Sequence, residues 1–476
     1  MRFRSSFILT ILAIAPACTV GPDYERPELQ VGSDWMEPAI LGSVDQQWWD
    51  NFNDPMLSRL VEMAIADSPQ LREAEARLAE ARANRDAALG GRLPQTEASG
   101  AVSENVVSEN GQFPVGEIPG FARDFSLFDL GFDASWEIDF WGRHTRQIEG
   151  AQARAEAALE ARRGVLVTLI GEVARAYVDL RVAQAEQESL ANVAQAETVR
   201  ADLTGQRFQG GESSRLEWDQ ATYMARVSAQ AVPEAEGRVA AAAYRIATLI
   251  GSSPEAIVPD LLRPGPVPES PEQILAGLRS ELMTRRPDIR RAERELAAAT
   301  ADIGVATADL FPRFSLFGSL GQQARNTGDL LSGGSTRLSI GPSFSWPIFS
   351  GGRIRAQIRG ADARAEAAAA RYEAAVIGAL SDSEGSINRF LRMGEAEEEA
   401  MHAYDRQQSV FRFAEQRHQA GEDDALVLAA ARRALAEAGI RLERVRGDRA
   451  RSAITLYKSL GGGWISDPES QRTLIH

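Results

Sequence analysis

The chain repeats itself, and that limits what it can fold into more than any other feature. Trp136 to Ala158 and Trp346 to Ala368 lie 210 residues apart and match without a gap. Trp136, Ile138, Gly142, Arg143, Gln147, Ile148, Gly150 and Arg154 all recur. Of the 23 positions 14 are identical, and alanine richness cannot produce the matching Trp, Gly-Arg and Gln-Ile sites. Two further stretches repeat in the same order. Ser68 to Pro94 pairs with Arg286 to Pro312 at a spacing of 218, and Arg207 to Ala221 pairs with Arg417 to Ala431 at 210. A whole structural unit is therefore duplicated. The proline-rich link Ser253 to Pro271 separates the copies and cannot be a long helix. The organisation read from this is a first repeat over residues 67–252, a linker over 253–284 and a second repeat over 285–462.

Each unit opens with a helix, as in Pro69 to Leu89, where Leu71, Ala74, Leu78 and Ala81 share one face. Strand patterns follow. From Ser126 to Phe140, Phe128, Leu130, Phe132, Ala134, Trp136, Ile138 and Phe140 fall on one face, and Asp129, Asp133, Ser135, Glu137 and Asp139 on the other. In the second unit Leu338, Ile340, Phe344, Trp346 and Ile348 alternate with Arg337, Ser339, Ser343 and Ser345. Partner strands are expected at Gln95 to Val106 and Arg313 to Leu320, with Ser332-Gly-Gly-Ser335 as an exposed turn. Alternating segments of this length that end in aromatics suit a membrane barrel. A half-buried soluble sheet has the same pattern.

After Gly142-Arg143 and Gly352-Arg353 the period becomes helical, in tracts rich in Ala, Arg, Glu and Gln. A continuous helix from Arg143 to Arg207 would be roughly 95 Å long. Gly210-Gly211 and Gly421 then break the chain, and a second helix returns through Leu216 to Ile250 and Leu426 to Leu460. The expected product is two helical hairpins with small faces, suited to a ring or to a coiled-coil scaffold.

The N-terminus reads as a secretory signal over residues 1–17, with Arg2 and Arg4 before the apolar run Phe7 to Ile14. The only cysteine, Cys18, follows Ala15-Pro16-Ala17. Either Cys18 carries lipid, or Ala15-Pro16-Ala17 is an ordinary cleavage site and the cysteine is incidental. Residues 18–66 form an extended segment, and 463–476 a C-terminal tail. A net charge of −15 excludes a nucleic-acid partner, because phosphate demands a basic face. One cysteine and four scattered histidines offer no disulfide and poor material for a metal site, and no cofactor is expected. There is no G-x-S-x-G, H-E-x-x-H or phosphate loop, so an enzyme is disfavoured.

Four strands per chain cannot close a membrane barrel, and an open sheet in lipid would leave unpaired edges. Strands that span a membrane must then be shared between several copies. This constellation resembles the outer-membrane efflux factors, TolC-like channels, in their NodT/OprM-like lipoprotein branch. The resemblance rests on the start Cys18 to Pro27, on Trp48-Trp49 with Phe52, Asp54-Pro55 and Leu57, on Arg285-Arg286-Pro287-Asp288-Ile289-Arg290 with Ala292-Glu293, and on the paired Arg-x3-Gly turns. It implies a mainly α protein with membrane β structure, a trimeric α-barrel below a shared twelve-stranded barrel. Such a protein is an exit duct in the outer membrane that docks to a periplasmic adaptor and an inner-membrane pump. It implies lipid at Cys18 and an adaptor-docking tip at Arg207, Gly211, Leu216, Arg417, Gly421 and Leu426. It further implies a periplasmic aperture at Asp423 and Asp424, which could equally be acids at a helix N-terminus. Asp129, Asp133, Glu137 and Asp139 would face the lumen, or else a solvated belt surface. A scaffold lipoprotein without a pore is the competing function.

Overall fold

The computed structural model describes residues 19–29, 32–108 and 122–464. The expected signal, Cys18 and the tail beyond residue 464 lie outside the described residues. Helix α1 (Pro55–Asp67) precedes the repeat, whose first copy comprises α2 (Pro69–Gly90), β1 (Gln95–Val106), β2 (Asp124–Ile138), α3 (Arg143–Gln209) and α4 (Arg215–Leu249). Two short helices follow, α5 (Pro254–Leu261) and α6 (Leu282–Arg285). The second copy comprises α7 (Pro287–Ala308), β3 (Arg313–Ala324), β4 (Thr336–Ser345), α8 (Arg353–Gln419) and α9 (Ala425–Ser459). Helix α3 and helix α8 each have 67 residues, so each runs for about 100 Å. Helices α4 and α9 each have 35, although α4 continues through Pro233.

The chain forms two compact units, and neither is a sequence repeat. One takes the described residues 19–27 with those of Ala79–Ala157 and Ala292–Tyr372. The other takes the described residues of Glu28–Leu78, Ala158–Arg291 and 373–464.

The first unit holds a single antiparallel sheet in the order β1-β2-β3-β4. Its registers put Phe128, Leu130, Phe132, Trp136, Leu316, Leu320, Leu338, Ile340 and Phe344 on one face. The opposite face carries Glu97, Ser99, Asp129, Asp133, Glu137, Ser319, Gln323, Arg337, Ser339 and Ser343. The apolar face is bare, with Phe132 66% and Ile340 73% exposed. Strand boundaries differ from those read in the sequence, and β4 ends at Ser345, short of Trp346 and Ile348. Strand β3 continues past Leu320 to Ala324, because its partner Phe128 still lies opposite. Strand β2 stops at Ile138, short of Phe140. Asp139 leaves the strand because its carboxylate accepts the N–H groups of His144 at 3.0 Å and Thr145 at 2.8 Å, free donors at the start of α3.

Residues 19–24 strap this unit. Val20 N–H donates to Trp141 O at 3.1 Å. The Arg146 side chain donates to Val20 O and pairs with Asp23 at 2.6 Å. Gly21 has φ of +89° and lies against Gly304, so closely that a Cβ on Gly21 would sit 2.4 Å from the Gly304 Cα. The Trp141 indole stacks on Phe311 at 4.6 Å and donates to Pro312 O.

The second unit holds the main apolar core. Trp48, Phe52, Leu57, Leu60 and Val61 pack with Leu169, Ile170, Val173 and Tyr177 of α3, Ile246 and Ile250 at the end of α4, and Ile454, Tyr457 and Leu460 of α9. Burying side chains of this size contributes about 1.5–3 kcal/mol each. Trp48 stacks on Tyr457 at 5.2 Å. Asp54 caps α1 through Met56 N and Leu57 N and also accepts the Tyr177 hydroxyl at 2.8 Å. Burial pushes the Tyr177 pKa upward and keeps it a donor.

Candidate functional site

The two hairpin turns are built alike. Helix α3 ends at Gln209, and Gly211 takes φ of +79°, a conformation that glycine adopts without steric cost. Glu212 N–H then donates to Arg207 O at 2.8 Å and Gly211 N–H to Phe208 O at 3.1 Å, closing the helix end. Gly421 repeats this with φ of +74°, Glu422 N–H to Arg417 O at 2.9 Å and Gly421 N–H to His418 O at 3.0 Å.

The returning helices are capped differently. Ser214 caps α4 in a reciprocal box with Glu217. The Ser214 backbone N–H, then the Ser213 and Ser214 hydroxyls, donate to the Glu217 carboxylate and hold its pKa below the usual value. Phe208 stacks on Trp218 at 5.2 Å behind the first turn. Gly205 leaves the room for it, since a Cβ there would meet the indole nitrogen at 2.9 Å. In the second turn Asp424 is the cap of α9, accepting Leu426 N–H at 3.2 Å.

Both acids singled out in the second turn have cationic partners. Asp424 pairs with Arg207, so it ties the second turn to the end of α3. Asp423 pairs with Arg417 at 2.9 Å, and its carbonyl accepts from His418 Nδ1. Asp424 is thus a helix N-terminal acid and an ion-pair partner together. Leu216 stands exposed at the start of α4, and Leu426 is half-buried.

On the sheet, the polar face gathers three of the four predicted strand acids. Asp129 accepts from Arg337 and Gln323, both at 2.7 Å. Asp133 accepts from Ser99 Oγ at 3.1 Å. Glu137 lies 3.7 Å from His144 Nε2 and 3.9 Å from Arg143. Asp139 is not on this face, because it caps α3. No helix among the described residues is long and apolar enough to cross a membrane.

The sequence model of outer membrane efflux proteins matches residues 60–252 and 278–462. The chain belongs to that family. The outer membrane efflux family consists of conduits rather than enzymes, and this chain is one of its outer-membrane efflux channels. The pyoverdine export outer membrane protein OpmQ of Pseudomonas aeruginosa is 31% identical over 98% of each chain. Nodulation protein T of Rhizobium leguminosarum bv. trifolii is 28% identical over 97% of each. Among solved structures, the outer-membrane channel OprN superposes with a TM-score of 0.83 at 35% identity, covering 94% of this chain and 100% of that one. The Campylobacter jejuni CmeC outer membrane channel shares the fold, with a TM-score of 0.84 over 96% of this chain and 98% of that one at 21% identity.

The efflux-family matches run from α1 through α4 and from α6 through α9. Within the second unit, a ladder of ion pairs joins α3 to α9, and no local pattern in the sequence marks it. Glu197 is 1% exposed and is held by Arg200 at 2.6 Å and Arg433 at 2.7 Å. Glu186 pairs with Arg444 at 2.5 Å, and Asp179 with Arg451 at 2.8 Å. The Arg285 to Arg290 motif was legible but not its use. Arg286 donates to Ser459 O at 3.1 Å, and Arg285 O accepts the Trp464 indole at 2.9 Å. Trp464 also lies under the guanidinium groups of Arg163 and Arg290. Partners 173 and 179 residues from the motif leave no spacing signal to read.

Proposed function

We propose that three copies of this chain share one twelve-stranded barrel in the outer membrane, with the helical hairpins forming a periplasmic tube beneath it. The observation that carries this reading is the four-stranded sheet with an exposed apolar face and two edge strands. Alone in lipid, such a sheet would leave backbone donors and acceptors unpaired at several kcal/mol each. In water it would leave a large apolar surface bare. Sharing strands between copies resolves both.

In this reading the duct passes exported solutes handed on by an inner-membrane pump through a periplasmic adaptor. The adaptor docks at the turns around Arg207, Gly211 and Leu216 and around Arg417, Gly421 and Leu426. The Leu216 side chain is exposed and so is open to such a contact. Asp423 and Asp424 line the resting aperture, with Arg207 and Arg417 as the cations that hold them. Asp129, Asp133 and Glu137 face the wet lumen, because the residues between them form the apolar face. Cys18 carries the acyl anchor.

Extraction in mild detergent followed by mass measurement tests this. Three copies per particle, a protomer mass raised by acyl chains, and cross-links from Leu216 and Leu426 to a co-expressed adaptor are expected. A water-soluble monomer or dimer overturns the duct. An unmodified Cys18 removes the anchor alone, and no cross-link removes the docking site alone.

A further inference from the structure

The duplication is regular enough in the sheet to say how neighbouring copies join. Strands β1 and β3 correspond at a spacing of 218, since Gln95–Val106 and Arg313–Ala324 have the same length. Strand β2 continues into α3 and β4 into α8, and these helices correspond at 210, with Arg143 matching Arg353. The registers obey both spacings. In the β1–β2 pair, Gln95 lies opposite Ser135 and Val102 opposite Phe128. In the β3–β4 pair, the corresponding Arg313 lies opposite Ser345 and Leu320 opposite Leu338. The two hairpins are therefore copies of each other to the residue.

Within the chain, the joint between hairpins is the β2–β3 pair, where Asp133 lies opposite Ser319 and Ala134 opposite Gly318. The outer edges of β1 and β4 have no strand partner among the described residues. We propose that β4 of one copy pairs antiparallel with β1 of the next in the register that copies the β2–β3 joint. Moving that joint by the two spacings sets Ser343 opposite Ala101 of the neighbouring copy, Phe344 opposite Gly100 and Leu338 opposite Val106. The register keeps both faces continuous. Leu338, Ile340 and Phe344 meet Val106, Glu104 and Gly100 on the apolar side, and Ser343 meets Ala101 on the polar side. A slip of one residue would turn every β1 side chain to the wrong face.

A second observation agrees. Strand β2 extends to Ile138, and its last three residues pair only with β3. Their counterparts Trp346, Pro347 and Ile348 are not strand in the lone chain, and Ile348 is 84% exposed. They lack the partner that orders Trp136 to Ile138, and the neighbouring β1 supplies it at Thr96 to Ala98. The copy is imperfect in one respect. Successive residues direct their N–H groups to opposite sides of a strand, so one of Pro342 and Pro347 must remove a hydrogen bond from this joint.

This inference rests on the shared-barrel reading, and the test separates the two. Full-length protein carrying Ser343→Cys with Ala101→Cys is oxidised in outer membranes and run without reductant. Facing residues in an antiparallel pair have Cα atoms about 4.5–5.5 Å apart, within disulfide reach, whereas diagonal ones do not. Covalent trimers are expected, with at most one-tenth as much from Ser343→Cys combined with Ser99→Cys or with Ser103→Cys. The parent chain with Cys18 alone supplies the background. Phe344→Cys with Gly100→Cys repeats the test at the adjacent pair if the first variant does not accumulate. Strongest linkage at a shifted pair overturns the register and keeps the shared barrel. No linkage between copies at any pair overturns both.

Discussion

A single side chain at the hairpin tip has two functions at once. Asp424 caps α9 and holds Arg207 from the other hairpin. Its counterpart in the first repeat is Ser214, which caps without charge. A cap lost to alanine costs about 0.5–2 kcal/mol, and an exposed ion pair contributes about 0.2–1 kcal/mol. Neither loss unfolds a protein with 67-residue helices, so an altered tip would report on gating rather than on collapse. Asp423→Ala with Asp424→Ala is expected to raise resting conductance and weaken cation preference in planar bilayers, because rings of like charge attract counter-ions. If both quantities match the parent channel, these acids are only structural.

At the scale of elements, the long helices arise from composition and the absence of breakers, and α4 is the exception. It runs through Pro233, which cannot donate to the preceding turn. The matching position in α9 is Glu443, which forms an ordinary pair with Arg446 at 2.8 Å. Both helices nevertheless have 35 residues. The proline is thus tolerated and does not set the length of α4. Pro233→Ala should stabilise the helix by up to about 3 kcal/mol and raise its thermal midpoint by circular dichroism. A lowered midpoint would show instead that α4 must bend at that residue.

At the scale of the whole molecule, the two sheet faces should respond oppositely to charge. Ile340 lies midway along β4 on the apolar face, and Ser339 beside it lies on the polar face. Arginine on a lipid-facing barrel surface costs about 2–4 kcal/mol near the midplane. Ile340→Arg is therefore expected to cut the yield of membrane-inserted channel many-fold, while Ser339→Arg assembles normally. Asp133→Lys with Glu137→Lys should assemble too and shift ion selectivity toward anions. Equal yields from the two arginine variants would refute the lipid-facing assignment, and unchanged selectivity would remove the acids from the lumen.

Much of this architecture could be read from the chain alone. Period-two and period-three-to-four patterns, glycine turns and the duplication are local or collinear signals, and they placed β1, α3 and the hairpin turns within a few residues. Asp139 was misread for the same reason, since alternation continues past the point where helix capping takes over. The Glu197–Arg433 and Glu186–Arg444 pairs, the strap of Arg146 on Val20 and Asp23, and the Trp464 contacts join residues far apart in the chain. Charge and aromatic content are visible in a sequence, but which charge meets which depends on how helices are rotated against each other. That rotation follows from packing of the whole core and has no period of its own.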